Sequence, residues 1–227
     1  MWKKIIECEF WGPILHKARN IELARMSYHE WLEFIVEQLL PEKKDIVVLD
    51  SSCNLDGLQR IMRAKYFGYN TLKVIYLTRD SRGVVYSASK KGYGRGLKDG
   101  YSRHSVLRNA ISWTLRNKKI IRYIESIKKN IQVAHVHYED LSEKPDIVLR
   151  RLQHFLGVKV IGLDPNWRTA KHHTYAGNAR LRSQDSSVIR ERLEWRTKLT
   201  PLEMMTIEAI TGGLNRTLMK KFSEKFH

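Results

Sequence analysis

The sequence predicts an α/β fold, a three-layer parallel sheet with helices on both faces. Two observations carry this. The short continuous apolar run at 46–49 has the character of a strand buried on both faces, and 72–77 and 131–138 are a second and a third candidate strand. Between and after them lie longer segments with apolar residues at helical spacing, bounded by capping residues, proline and glycine.

The elements follow in order. Ser27-Tyr28-His29-Glu30 is a capping-box pattern, with Ser27 as N-cap and Glu30 three residues later. Trp31, Phe34, Ile35, Gln38 and Leu39 follow at helical spacing, which predicts a helix over 28–40 that Pro41 stops. The run 46–49 is the first buried strand, 55–67 a helix ending near Gly68, and 72–77 a second strand. A short helix over 82–91 and a loop rich in glycine and basic residues over 92–103 come next. A long amphipathic helix over 104–129 has Ile111, Leu115 and Ile124 among its apolar positions, and 131–138 is the third strand. Pro145 opens a helix with Ile147, Val148, Leu152, Phe155 and Leu156 on one side and Gly157 as its stop. Residues 158–187 lack a clear period and predict an extended loop. Thr200-Pro201-Leu202-Glu203 is a second capping box and starts a helix over 201–219. With no internal repeat and no dividing linker, 1–227 is expected to be one domain.

The 227 residues suffice for a sizeable core. No apolar stretch reaches the roughly 18 residues of a membrane span. Glu7 and Glu9 interrupt the only apolar start, so no secretory signal is expected. Cys8 and Cys53 form neither a disulfide framework nor a zinc-ligand pattern. A reducing, cytoplasmic setting and no metal are the expectations.

The net charge of +17 is unevenly placed. Residues 1–59 hold 7 basic and 10 acidic side chains, residues 60–130 hold 18 and 3, and residues 131–227 hold 16 and 11. A basic excess gathered in one segment attracts a polyanion or a phosphorylated small molecule, whereas an even excess serves only solubility.

Ligands of parallel sheets bind at the C-terminal ends of strands. That places Asp50, Arg79 and Tyr138 on one rim. Arg79 carries a planar, permanently charged fork suited to phosphate. Ser87, eight residues later, falls between one and two turns into the following helix and can face the same side. The residues alone leave a second account open. In it Arg79 pairs with Asp80 or a helix C-terminus, and Ser87 is helix surface. Asp50 is placed to act as a base, to cap the next turn or to pair with a basic neighbour, and Tyr138 to meet a ligand or to pack as a core aromatic. Glu139 and Asp140 have the character of a helix-capping pair. His172 and His173 are weaker candidates for a base, while His135 and His137 alternate on one strand face as structural residues do.

KVIYLTRDSRGVVYS at 73–87 resembles the 3′-phosphate-binding segment of the sulfotransferases that use 3′-phosphoadenosine 5′-phosphosulfate (PAPS). In that family an apolar strand is followed by Arg-Asp/Asn-Pro and a helix whose Ser lies eight residues after the Arg. VVLDSSC at 47–53 resembles the family's strand ending in Asp-Ser-Ser-Lys. HYEDLSEKPDIVLRRLQHFLGV at 137–158 resembles its Tyr-Glu-Asp-Leu segment and the helix after it. HHTYAGNARLR at 172–182 is similar to the late His, Gly-Asn and Arg loop of carbohydrate-type and bacterial members, and CEFWGPIL at 8–15 to a Cys-x-Phe-Trp stretch in some of them.

The resemblance implies a P-loop-NTPase-like sulfotransferase fold. It implies that Arg79 and Ser87 bind the 3′-phosphate of PAPS and that Tyr138 also reaches it. Arg180 and Arg182 would close a basic loop over the nucleotide. The implied activity is sulfuryl transfer from PAPS to a hydroxyl acceptor, with carbohydrate as the candidate class. Two departures stand out. No counterpart of the family's first strand and Ser-Gly-Thr loop, which cradles the 5′-phosphosulfate on backbone N–H groups, is found in this sequence. Cys53 also stands where the family has Lys. The expectation is a member missing its first strand and that loop: an enzyme if the sequence is a fragment, a catalytically impaired chain if it is complete.

The alternative from another class is a basic nucleic-acid-binding module without catalysis. The basic middle segment, with Tyr93, Tyr101 and Trp113 near it, motivates that alternative. The lack of any RNP, KH or helix-turn-helix signature argues against it. A P-loop kinase is opposed by the missing Walker motif.

Overall fold

The computed structural model describes residues 14, 16, 30, 34, 47, 49–51, 54–63, 72–90, 103–160, 162 and 193–220. The chain divides into two compact units, 1–68 with 164–188, and 69–163 with 189–227.

In the first unit, Ile14 and Phe34 are buried, and positions 14, 16, 30 and 34 are helical. Helix α1 (Leu55–Arg63) is capped by Asn54, whose Oδ1 accepts from the Gly57 amide at 2.9 Å, and it buries Ile61. The buried strand expected over 46–49 is not what the described positions show. Val47 is 47% and Leu49 69% exposed, and both are irregular. An apolar run becomes a buried strand only when neighbouring strands and helices cover it, and the run itself does not specify them. Ser27, Ile46, Val48 and Cys53 lie outside the described residues.

The second unit is built on two parallel strands, β1 (Lys73–Thr78) and β2 (Gln132–His137). Their register runs from Lys73↔Gln132 to Thr78↔His137. Val74, Ile75, Val133 and Val136 supply the β-branched residues that favour a pleated, half-buried surface. Parallel strands require a long crossover. Here it contains α2 (Ser81–Lys90) and α3 (Arg103–Ile127).

After β2 come the short α4 (Tyr138–Glu143), then α5 (Pro145–Leu156), α6 (Glu194–Lys198) and α7 (Pro201–Lys220). α5 has Pro145 in its first turn and ends on Gly157 in the left-handed region at φ 76, where glycine carries no Cβ penalty. At the start of α7 the capping box forms as the sequence predicts. The Thr200 amide donates to Glu203 Oε2 at 2.9 Å, and the Glu203 amide donates to Thr200 Oγ1 at 3.3 Å.

Val85 and Tyr86 of α2, Val106 and Ala110 of α3, Trp195 and Leu199 at α6, and Ile207 of α7 form one apolar core. The side of α3 that enters it differs from expectation. The buried stripe is Val106, Ala110, Trp113 and Asn117, spaced four, three and four residues apart. Ile111, at 43% exposure, and Leu115, at 55%, lie outside it, and Ile124 is half-buried. Small Ala110 permits close approach of a neighbouring helix, and Asn117 on the same stripe accepts a hydrogen bond from the Tyr76 hydroxyl at 2.5 Å. Among the described residues, no helix is long and apolar enough to cross a membrane.

Candidate functional site

The last paired rung of the sheet is Thr78↔His137. Directly beyond it, Arg79 and Asp80 leave β1, while Tyr138 and Glu139 open α4. Tyr138 is thus the first residue of a helix rather than the last of a strand.

The Arg79 guanidinium carbon lies 4.5 Å from the centre of the Tyr138 ring, within cation–π range. The same guanidinium packs on Gly83 in the first turn of α2. A Cβ placed on Gly83 would stand 3.1 Å from Arg79 Nε and 3.2 Å from Nη2. Ser87 sits one helical turn beyond Gly83 on that face of α2 and is half-buried. Arg79, Tyr138 and the Gly83–Ser87 face therefore belong to one small region at the C-terminal end of the strands.

The two arginines of this segment have different work. Asp80 caps α2: its Oδ1 accepts from the Arg82 amide at 2.8 Å. It also pairs with the Arg82 side chain, Nη2 to Oδ2 at 2.6 Å and Nε to Oδ1 at 3.0 Å. The Arg82 guanidinium lies 4.6 Å over the buried Trp195 ring. The Asp80 hydrogen bond raises the Arg82 pKa. Arg82 is thus committed to the fold.

The start of α2 is also tied down. The Ser81 amide donates to Asn215 Oδ1 at 3.0 Å, and the Ser81 hydroxyl is 2.8 Å from that of Thr211. Two amides that a helix N-terminus would offer an anion, those of Ser81 and Arg82, are therefore already taken.

Beneath the rim lies a polar cluster. The Thr78 hydroxyl is hydrogen-bonded to His135 Nε2 at 2.5 Å and to His137 Nδ1 at 3.2 Å. His135 stacks on Tyr76 with ring centres 4.8 Å apart. Burial, aided by the neighbouring His137, pushes His135 down to about 3. Burial also lowers His137, with Asp140 and Glu139 acting in the opposite sense. Both imidazoles are neutral parts of the sheet, in keeping with the structural role their alternation on one strand face suggests.

Glu139, which the sequence presents as part of a capping pair, bridges the two strand exits. Its Oε1 accepts from the Asp80 amide at 2.9 Å, across 59 residues of sequence. Gly83 and Glu139 are contributions that the sequence does not announce. The only trace of Gly83 is a glycine inside a helical run, and the tie made by Glu139 is a tertiary contact.

The remaining candidates are placed as follows. Asp50 belongs to the first unit, is half-buried, and follows the irregular Leu49 rather than a strand. Arg180, Arg182, His172, His173 and the loop residues 92–102 lie outside the described residues.

A stretch of 118 residues, 52% of this chain, is 29% identical to the disease resistance RPP13-like protein 2 of Arabidopsis thaliana and covers 13% of that protein. No solved structure matches. The family model described as the sulfotransferase domain matches residues 8–204 and so contains β1, α2, β2 and α4. The chain belongs to the sulfotransferase-domain family.

Proposed function

We propose that the chain is a single sulfotransferase-like domain over 1–227 that binds PAPS by its 3′-phosphate and serves sulfuryl transfer to a hydroxyl acceptor, carbohydrate being the candidate class. One observation carries this. The Arg79 guanidinium, 4.5 Å from the Tyr138 ring centre and packed on Gly83, stands at the face of α2 that carries Ser87. A preset cation beside a hydroxyl suits a phosphate dianion, because the side-chain entropy of ordering the arginine is already spent.

In the transfer, the donor's sulfuryl group passes to the acceptor oxygen, the acceptor's proton goes to a base, and adenosine 3′,5′-bisphosphate leaves. Arg79 and Ser87 hold and orient the donor through its 3′-phosphate, which is binding energy applied away from the reacting bond. The ring of Tyr138 braces Arg79. Asp50 is the proposed base, on the strength of its place in the segment that resembles the family's Asp-Ser-Ser strand end. Arg180 and Arg182 are proposed to add positive charge over the nucleotide. The residues named above account for the 3′-phosphate half of a donor site, and no counterpart of the family's 5′-phosphosulfate loop is found in the sequence. The setting is proposed to be cytoplasmic.

The test is calorimetric titration with adenosine 3′,5′-bisphosphate, for the wild type and Arg79→Ala. Micromolar affinity that falls by about a hundredfold in the variant, as removal of a charged phosphate partner predicts, supports the proposal. Absence of nucleotide binding together with salt-sensitive binding of oligonucleotides would replace it with the nucleic-acid module.

A further inference from the structure

We propose that Glu139 is a positioning residue for Arg79, acting as a side-chain rung that continues the sheet past its last backbone pair. This inference rests on Arg79 binding the donor's 3′-phosphate, as proposed above.

The backbone ladder stops at Thr78↔His137, and both chains then turn into helices. At that point nothing in the ladder sets the separation of the two exits. Among the described residues, two contacts bridge them, made by consecutive residues on each side. The Arg79 guanidinium meets the Tyr138 ring at 4.5 Å, and the Asp80 amide donates to Glu139 Oε1 at 2.9 Å.

The second contact governs the first. Asp80 is the cap of α2, so its own amide precedes the helix and has no intrahelical acceptor. The Glu139 carboxylate supplies that acceptor, and by doing so fixes the Arg79–Asp80 peptide relative to the Tyr138–Glu139 peptide. The Arg79 side chain begins on one of these peptides and its ring partner on the other.

The other carboxylate oxygen, Oε2, is buried and has no hydrogen-bond partner among the described residues. A carboxylate kept in that state, when one oxygen does all the bonding, is expensive to hold unless the bond it makes matters. What the arrangement requires of residue 139 is an acceptor at the Oε1 position, so reach matters more than charge. A negative charge near a phosphate site opposes phosphate binding, which separates the two roles experimentally.

The experiment measures the affinity increment due to the 3′-phosphate, the ratio of dissociation constants for adenosine 5′-phosphate and adenosine 3′,5′-bisphosphate. It is determined calorimetrically for the wild type and for Glu139→Gln, Glu139→Asp and Glu139→Ala. Gln retains an acceptor at the same reach and is expected to keep the wild-type increment within about threefold, or to raise it. Asp retains the charge but is one methylene short, and with Ala it is expected to lose about tenfold or more of the increment, about 1.4 kcal/mol. If Ala does not fold, the order of Gln above Asp decides alone, because a role based on charge places Asp above Gln. Retention of the full increment in Asp, or its equal loss in Gln, overturns the inference while leaving the 3′-phosphate site intact. A wild type with no increment removes the phosphate site itself, and the inference with it.

Discussion

The Tyr138 ring is a platform for the Arg79 guanidinium, 4.5 Å away, and each of the two residues stands directly beyond the last paired rung, Thr78↔His137, of the parallel strands. A stacked pair of this kind is worth about 0.5–2 kcal/mol, more when shielded from water. It also lowers the entropy the arginine loses on meeting an anion.

Replacing the ring separates its two proposed uses. Tyr138→Phe keeps the platform and removes the hydroxyl; Tyr138→Leu removes both. If the platform dominates, Phe binds adenosine 3′,5′-bisphosphate within about threefold of wild type, and Leu binds it about tenfold more weakly, in line with the energy of the pair. Titration calorimetry measures both. Equal losses in Phe and Leu would show that the hydroxyl, which the family resemblance assigns to the phosphate, is the part that counts.

Gly83→Ala sets stability against binding. Alanine in a helix is favoured over glycine by up to about 1 kcal/mol. Its Cβ, however, would stand 3.1 Å from Arg79 Nε, so the guanidinium has to shift by a few tenths of an ångström. The expected result is a thermal midpoint equal to or above that of wild type, with affinity for adenosine 3′,5′-bisphosphate reduced about three- to tenfold, the effect of a small misplacement of a charged donor. Differential scanning calorimetry and titration on the same preparation decide it. Unchanged affinity would mean that Arg79 has room to spare.

The histidine pair makes the second unit acid-sensitive. In the unfolded chain both imidazoles take a proton near pH 6.5, whereas the folded protein keeps His135 neutral down to about pH 3 and lowers His137 as well. The unfolded state therefore binds more protons below pH 6.5. Stability from this source is complete above that value and is lost as the pH falls toward 3, by about 1.4 kcal/mol per pH unit for each imidazole that stays neutral. Thermal midpoints are expected to drop from pH 7 to pH 5. His135→Gln, whose amide can reach the Thr78 hydroxyl, is expected to flatten that drop. An identical pH profile in the variant would rule out His135 as a source.

Much of this architecture is legible in the sequence where local chemistry determines it. The strand segments of β1 and β2 lie between clear helical segments. Pro145 and Gly157 punctuate α5, and Thr200 with Glu203 starts α7. Errors arise where distant partners choose. The run 46–49 has the composition of a buried strand, yet Val47 and Leu49 are exposed. α3 buries Ala110 and Asn117 rather than the bulkier Ile111 and Leu115, because α2, α7 and Tyr76 set the contact face. α4 and α6 are too short for periodicity to reveal, and α6 is held by the burial of Trp195. At the site, Arg79 and Ser87 are visible as a motif. Glu139 is not, because what gives it meaning is the amide of a residue 59 positions away.

The strand register also has a consequence for when this region comes into being. Arg79 and Tyr138 each stand one peptide beyond Thr78↔His137, so they meet only after the chain between the two strands, a separation of 59 residues, has closed into a loop. α3, which occupies much of the loop, relies on local contacts and can form on the microsecond scale; parallel strand pairing must first overcome loop-closure entropy and is slower. Competence to hold a phosphate would therefore emerge late in folding, and a nucleotide that binds there would act as a reporter of sheet formation rather than of helix content.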